Sequence, residues 1–116
     1  LQTQGKPIET IELLAPAEPA VRQAFTGGNA VRLGRFLTSL GRARASTGEY
    51  EISETNLSEA HSILSEAKGA TDRDRTDVLS GLVELYGAWE LAEPENGYGV
   101  KAHEWRVRLD GASSGH

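Results

Sequence analysis

The side chains able to do chemistry are few in this chain, and their spacing limits what they can do. His61, His103 and His116 are the only histidines. No two stand at the i, i+3 or i, i+4 spacing that would put a pair of imidazoles on one helix face. A zinc site would need carboxylates from distant segments, so they read as surface histidines. Asp72, Asp74 and Asp77 have a faint calcium-loop look. Arg73 and Arg75 are interleaved, however, and the glycine and closing glutamate of such a loop are missing. Helix capping and a solvated first turn account for these aspartates better. Thr26-Gly27-Gly28-Asn29 has no lysine behind it to hold a phosphate. No serine sits in a G-x-S-x-G elbow. With no cysteine there are no disulfides, thiolate metal sites or cysteine nucleophiles. Trp89 and Trp105 could form an aromatic ligand patch, but at helical spacing they read as core. The expectation is a non-catalytic protein with no metal and no cofactor.

Charge is the remaining chemical resource. The formal net charge of −5 argues against a general phosphate-binding role. Its distribution says more than its sum. Residues 19–48 contain no acid, yet carry Arg22, Arg32, Arg35, Arg42 and Arg44. Residues 49–67 invert this, with Glu49, Glu51, Glu54, Glu59 and Glu66 and no lysine or arginine. Either the fold or the function has to account for the alternation.

The elements that position these charges are helices. Apolar positions from Ala30 onward (Val31, Leu33, Phe36, Leu37, Leu40, Ala43, Ala45) recur mainly three and four apart, a helical stripe rather than a strand alternation. Gly48 can take the left-handed conformation that closes that helix. The next stripe is Tyr50, Leu57, Ala60, Ile63, Leu64 and Ala67, stopping at Lys68-Gly69. Thr71 with Asp74 three residues on predicts a capping box, and Val78, Leu79, Leu82, Val83, Leu85, Tyr86 and Trp89 follow it. After the Glu93–Gly97 loop, Tyr98, Val100, Ala102, Trp105 and Leu109 predict a short last helix. Before all of these, residues 8–25 are apolar-rich but interrupted by Pro16 and Pro19, which predicts a helix broken there. Asn29 is a candidate N-cap for the helix it precedes. The sum is an all-α chain of about five helices. Residues 1–7 are expected to be disordered or extraneous, and 110–116 a disordered tail.

Composition sets the outer bounds. At 116 residues, 38% hydrophobic and 25% charged, the chain is one globular domain's worth. No apolar run approaches the roughly 20 residues that span a bilayer. No basic segment followed by an apolar stretch opens the chain, so no signal peptide is expected and the reading is cytoplasmic. Methionine is absent even at position 1, which leads us to expect a piece or processed product of something longer.

The helices also repeat. Phe36-Leu37-Thr38-Ser39-Leu40-Gly41 and Gly81-Leu82-Val83-Glu84-Leu85-Tyr86 share a pattern at an offset of 45 residues, and Val21 and Phe25 match Ile63 and Ala67 at 42. Leu37-x2-Leu40-Gly41-x2-Arg44, then Gly48, Tyr50, Ser53-x3-Leu57 and Ala60 resemble the tetratricopeptide repeat, W-x2-L-G-x2-Y followed by A-x3-F and alanine. The departures are Leu37 for Trp, Arg44 for Tyr, Ser53 for Ala and Ser65 for the usual Pro. The long period is similar to the kinesin-light-chain variety. Leu82-Val83-Glu84-Leu85-Tyr86-x2-Trp89 with Lys101-Ala102-x2-Trp105-Arg106 resembles the last repeat of arrays in large bacterial proteins, many with a serine/threonine kinase domain upstream. The resemblance implies antiparallel hairpins stacked in a right-handed solenoid. It divides residues 8–109 into a leftover second helix (8–25), a complete repeat (30–68) and a terminal repeat with a loop insertion (73–109). An array missing the first helix of its first repeat would leave Ile8, Ile11 and Leu14 poorly covered.

The resemblance further implies that the first helix of each hairpin lines a concave surface. Arg35 and Arg42 are seven apart, hence on one helix face, with Thr38 between them and Ser46 one turn on. With Glu84 of the following first helix, these residues are the expected partner-binding set, suited to an acidic or carboxylate-terminated peptide. The simpler account pairs the arginines with the acidic helix packed against them, or with Glu84 and Glu90. The expected function is a protein interaction scaffold whose partner is a protein or peptide, with no role for nucleic acid or membrane. Its rivals are a regulatory appendage of a larger enzyme such as a bacterial kinase, and a self-association module using the open N-terminal end.

Overall fold

A computed structural model describes residues 2–114 of the chain, and side chains between 6 and 112. The described residues form helices joined by short turns, without a strand among them. Six α-helices follow in order: α1 (Gln2–Leu14), α2 (Glu18–Ala24), α3 (Ala30–Ser46), α4 (Tyr50–Glu66), α5 (Asp72–Ala92) and α6 (Tyr98–Ser114). The first of the five expected helices is indeed broken. A 3-10 turn over Ala15–Ala17 separates α1 from the short α2, because Pro16 and Pro19 cannot donate to the preceding turn.

The other breaks are local chemistry. Gly48 takes φ +86°, and the amide of Glu49 turns back to donate to the Arg44 carbonyl at 2.9 Å, closing α3. Thr71 and Asp74 form a reciprocal capping box at the start of α5: Thr71 Oγ1 accepts from the Asp74 amide at 3.1 Å, and Asp74 Oδ2 accepts from the Thr71 amide at 3.0 Å. Asn29 does occupy the N-cap position of α3, but its side chain makes no capping bond.

The core is built on one close helix pair. A Cβ added to Gly34 would lie 2.8 Å from Leu64 Cγ, and one added to Gly41 would lie 2.7 Å from Leu57 Cγ. Gly34 and Gly41 are seven residues apart on α3, Leu64 and Leu57 seven apart on α4 in the opposite sense, so the helices run antiparallel with the backbones in near contact. Ser53 Oγ, buried in this interface, donates to the Gly41 carbonyl at 2.7 Å. Leu37, Leu40, Leu57, Ala60, Leu82 and Leu85 are fully buried around it. Tyr50, expected in the core, is only half-buried. α5 and α6 form the second antiparallel pair, joined where Trp89 stacks on Tyr98.

Both ends of the described chain are helical. Residues 2–7 belong to α1 rather than to a disordered start, because the helix they begin packs against α3. Residues 110–114 continue α6 rather than forming a loose tail, with Leu109 and Ala112 half-buried. Residues 1, 115 and 116, and with them His116, lie outside the described residues. Residues 8–25 are shared between the end of α1, the 3-10 turn and α2. Ile8 is 53% exposed as expected for an open end, whereas Ile11 and Leu14 are half-buried. No helix is long and apolar enough to cross a membrane among the described residues.

Candidate functional site

Helix α3 carries the candidate face, and the elements on either side of it decide what that face presents. α1 packs against α3 on one side and α5 on the other. Between them runs a groove of about 510 Å³. Ser39, Arg42 and Ser46 form its floor, Pro7, Thr10 and Leu13 one wall, and Glu84 the other. Leu13 is 75% exposed on its rim. A smaller cleft of about 190 Å³ continues along α3 past Arg35, Thr38, Asp74 and Asp77. The structure therefore brings Arg42, Ser46 and Glu84 into the groove and sets Arg35 and Thr38 beside it.

Each of these polar groups already has a partner. Arg35 makes a fork to Asp74, Nε to Oδ1 at 2.8 Å and one terminal nitrogen to Oδ2 at 2.9 Å. Such planar, bidentate geometry is the strong form of an arginine–carboxylate pair. The Arg35 guanidinium holds the Asp74 carboxyl at about 2, against the opposing effect of burial, with the Thr71 amide also lowering it. Arg42 reaches both oxygens of Glu84 at 3.0 and 3.1 Å. The backbone of Gly81 makes that reach feasible, since a Cβ there would meet Arg42 Cγ at 2.8 Å. Thr38 is buried and donates to the Gly34 carbonyl at 2.8 Å, and Ser46 Oγ donates to the Arg42 carbonyl at 3.2 Å.

Helix-to-helix pairing thus matches Arg22, Arg35 and Arg42 of the basic segment, and among the described residues of the acidic segment it engages Glu59 and, through Lys101, Glu54. Arg22 of α2 donates to both oxygens of Glu59 on α4 at 2.7 and 2.8 Å and also to Glu18. Its hydrogen bonds hold the Glu59 carboxyl below the usual range. Arg44 donates to Asn56 Oδ1 at 2.9 Å. Glu90 faces away from the arginines and accepts from the Gly99 amide at 2.8 Å. The spacing did not single out Asp74 as the partner of Arg35. Its signal lay in the same Thr71-x2-Asp74 motif, which fixes the carboxylate at the helix start facing α3.

The remaining chemical residues fall into packing roles. Trp89 is buried between Tyr50, at 5.6 Å between ring centroids, and Tyr98, at 4.0 Å. Tyr86 joins this stack, and its hydroxyl donates to Glu54 at 2.6 Å. Burial first, and then that bond to Glu54, raises the Tyr86 hydroxyl well above the ordinary tyrosine range. Trp105 stands half-buried, with His61 edge-on at 4.9 Å and Arg108 over its face. Burial pushes the His61 imidazole below its usual range, and the Arg108 charge adds to the effect. His103 is exposed. Among the described residues no group of histidines and carboxylates is placed to hold a metal. Comparison of the chain with protein-family models, with curated proteins and with solved structures gave no match.

Proposed function

We propose that this chain is a helical-repeat interaction module of the tetratricopeptide kind, which takes an extended acidic peptide along the groove over α3. Support for the repeat comes from the way side chains pair. Arg35 with Asp74 and Arg42 with Glu84 advance together along α3 and α5, so those helices run parallel. Glu54 with Lys101 and His61 with Trp105 do the same for α4 and α6. From α3 to α6 consecutive helices are antiparallel and alternate ones parallel, which is what stacked hairpins produce.

The observation that carries the binding reading is the Arg42–Glu84 pair on the groove floor. Its two side chains are 36% and 59% exposed, and such a pair is held by only about 0–1 kcal/mol. A carboxylate arriving from a peptide can replace Glu84 on Arg42 at little cost, while Leu13 and Pro7 offer an apolar wall to the neighbouring side chains. Lys6 on the rim adds a second cation.

Selection from a phage-displayed peptide library tests this. Acidic or carboxylate-terminated sequences should be enriched, and their affinity should fall about tenfold or more in Arg42→Glu and decline with salt. Binders that tolerate Arg42→Glu would sink the reading. Exposed Ile8 and Leu13 on α1 favour one rival, self-association. Light scattering that shows a dimer abolished by Leu13→Glu would establish that rival instead.

A further inference from the structure

At one end of the molecule the turn between α3 and α4 faces the last turn of α5 across a cleft of about 290 Å³. Tyr50, Ile52 and Trp89 supply its apolar surface, and Glu49, Glu51 and Glu93 stand around it. The positive φ of Gly48 turns the chain so that Glu49, Tyr50 and Glu51 arrive together at the start of α4. Across the cleft, Trp89 Nε1 donates to Glu93 Oε2 at 3.3 Å, which holds that carboxylate at the rim. Ile52 is left 48% exposed.

Three carboxylates converge on this cleft, and no lysine or arginine is among the residues that line it. Arg22, Arg35 and Arg42 are each matched by carboxylates. Among the described residues, Glu49, Glu51 and Glu93 have no ion-pair partner. Lys101, on the neighbouring α6, sits 4.0 Å from Glu54 and over the Tyr86 ring. Glu49 accepts only the Thr47 hydroxyl, and Glu93 only the Trp89 indole and Asn96, so charge remains uncompensated. The dipole of α4 accounts for an acid in its first turn. It does not account for Glu93 on the opposite wall, or for an isoleucine half-open between the two. Partial burial and the nearby Glu93, Glu54 and Glu51 raise the Tyr98 hydroxyl above its usual range, consistent with a negative field in this region.

We infer that this cleft receives a basic side chain, arginine or lysine, presented by an extended segment of a partner protein. The aliphatic stem lies on Ile52 and the edge of Tyr50, as such stems do on apolar surface. The cationic head sits between Glu51 and Glu93, close to aromatic rings that also attract cations. The volume suits one long side chain rather than a whole helix. The site is separate from the groove over α3 and does not depend on it.

The protein contains two tryptophans, so its two indole N–H signals in a 15N correlation spectrum report the cleft directly. The probes are a Gly-flanked tri-arginine peptide, its tri-lysine and tri-glutamine counterparts, and spermine. The arginine and lysine peptides should move the Trp89 indole signal saturably, and the glutamine peptide should not. Glu51→Gln with Glu93→Gln should weaken binding about three- to tenfold, the size expected for two exposed charge pairs. Glutamine at 93 still accepts from Trp89, so an unchanged melting temperature identifies the loss as one of charge. Arg42→Glu should leave the titration as in the parent, which separates this site from the groove. The inference is overturned by equal binding of the glutamine peptide, by full affinity in the double variant, or by saturation with spermine where the peptides fail.

Discussion

Gly41 lies so close to Leu57 that a single added methyl carbon would sit 2.7 Å from Leu57 Cγ and 3.1 Å from Asn56 Cβ. Leu57 is fully buried and cannot swing away. Gly41→Ala should therefore cost about 1–3 kcal/mol by overpacking, and Gly41→Leu more. Gly87 of α5 is the control, because a Cβ there meets nothing within 4 Å. Gly87→Ala should raise stability by about 0.5–1 kcal/mol through helix propensity. Urea melts of the two variants check the pair, and equal effects would show that α3 and α4 do not meet as described.

Asp74 serves Arg35 and the cap of α5 at once. Because the folded state holds its carboxyl at about 2, below the ordinary value near 3.9, its contribution is fully present above about pH 4. That contribution is lost as pH falls toward 2. Asp74→Asn keeps an acceptor for the Thr71 amide but loses the charge that meets the half-exposed Arg35, so it should cost about 1 kcal/mol near neutrality and should flatten the stability profile between pH 4 and 2. An unchanged acid limb in the variant would assign the acid loss to other carboxylates.

Reversing Arg42, on the groove floor, and Arg35, beside the groove, should have unequal consequences. Arg35→Glu sets a carboxylate against the buried Asp74, so it should lower the melting temperature clearly, and Arg35→Glu with Asp74→Arg should recover part of the loss. Arg42→Glu faces the exposed Glu84 and should stay within about 1 kcal/mol of the parent. Only Arg42 reversal is thus a clean probe of binding. The double reversal of Arg35 and Arg42 should destabilise the fold through Arg35, which would mix a folding effect into any binding measurement.

His61 links α4 to α6 through its edge contact with Trp105. The fold favours the neutral imidazole, by burial first and then by Arg108. Its contribution is present above the ordinary histidine value near 6.5 and falls as pH drops below it. His61→Phe keeps a ring on Trp105 without the titration, so stability between pH 7 and 5 should decline in the parent and not in the variant. Thermal melts across that range decide it.

What could be read from the residues alone was local or periodic. Gly48 as a closing residue, Thr71 with Asp74 as a box, the break at Pro16 and Pro19, and the burial of Leu40, Leu57, Leu82 and Leu85 follow from short-range sterics and from a period near 3.6. Gly41 stood out only through the resemblance of Leu37-x2-Leu40-Gly41 to the repeat motif, whereas Gly34, seven residues earlier, escaped because no motif marked it. The pairing of charges was not legible. With 12 lysines and arginines against 17 acids, nothing in the spacing says which acid a given arginine meets. Only the crossing of α3 with α5 sets Arg35 on Asp74 and Arg42 on Glu84. The same holds for α1, whose start was expected to lack structure. A short helix with Pro7 inside it has little stability of its own, and it is held by contacts with α3 that exist only once the chain has folded.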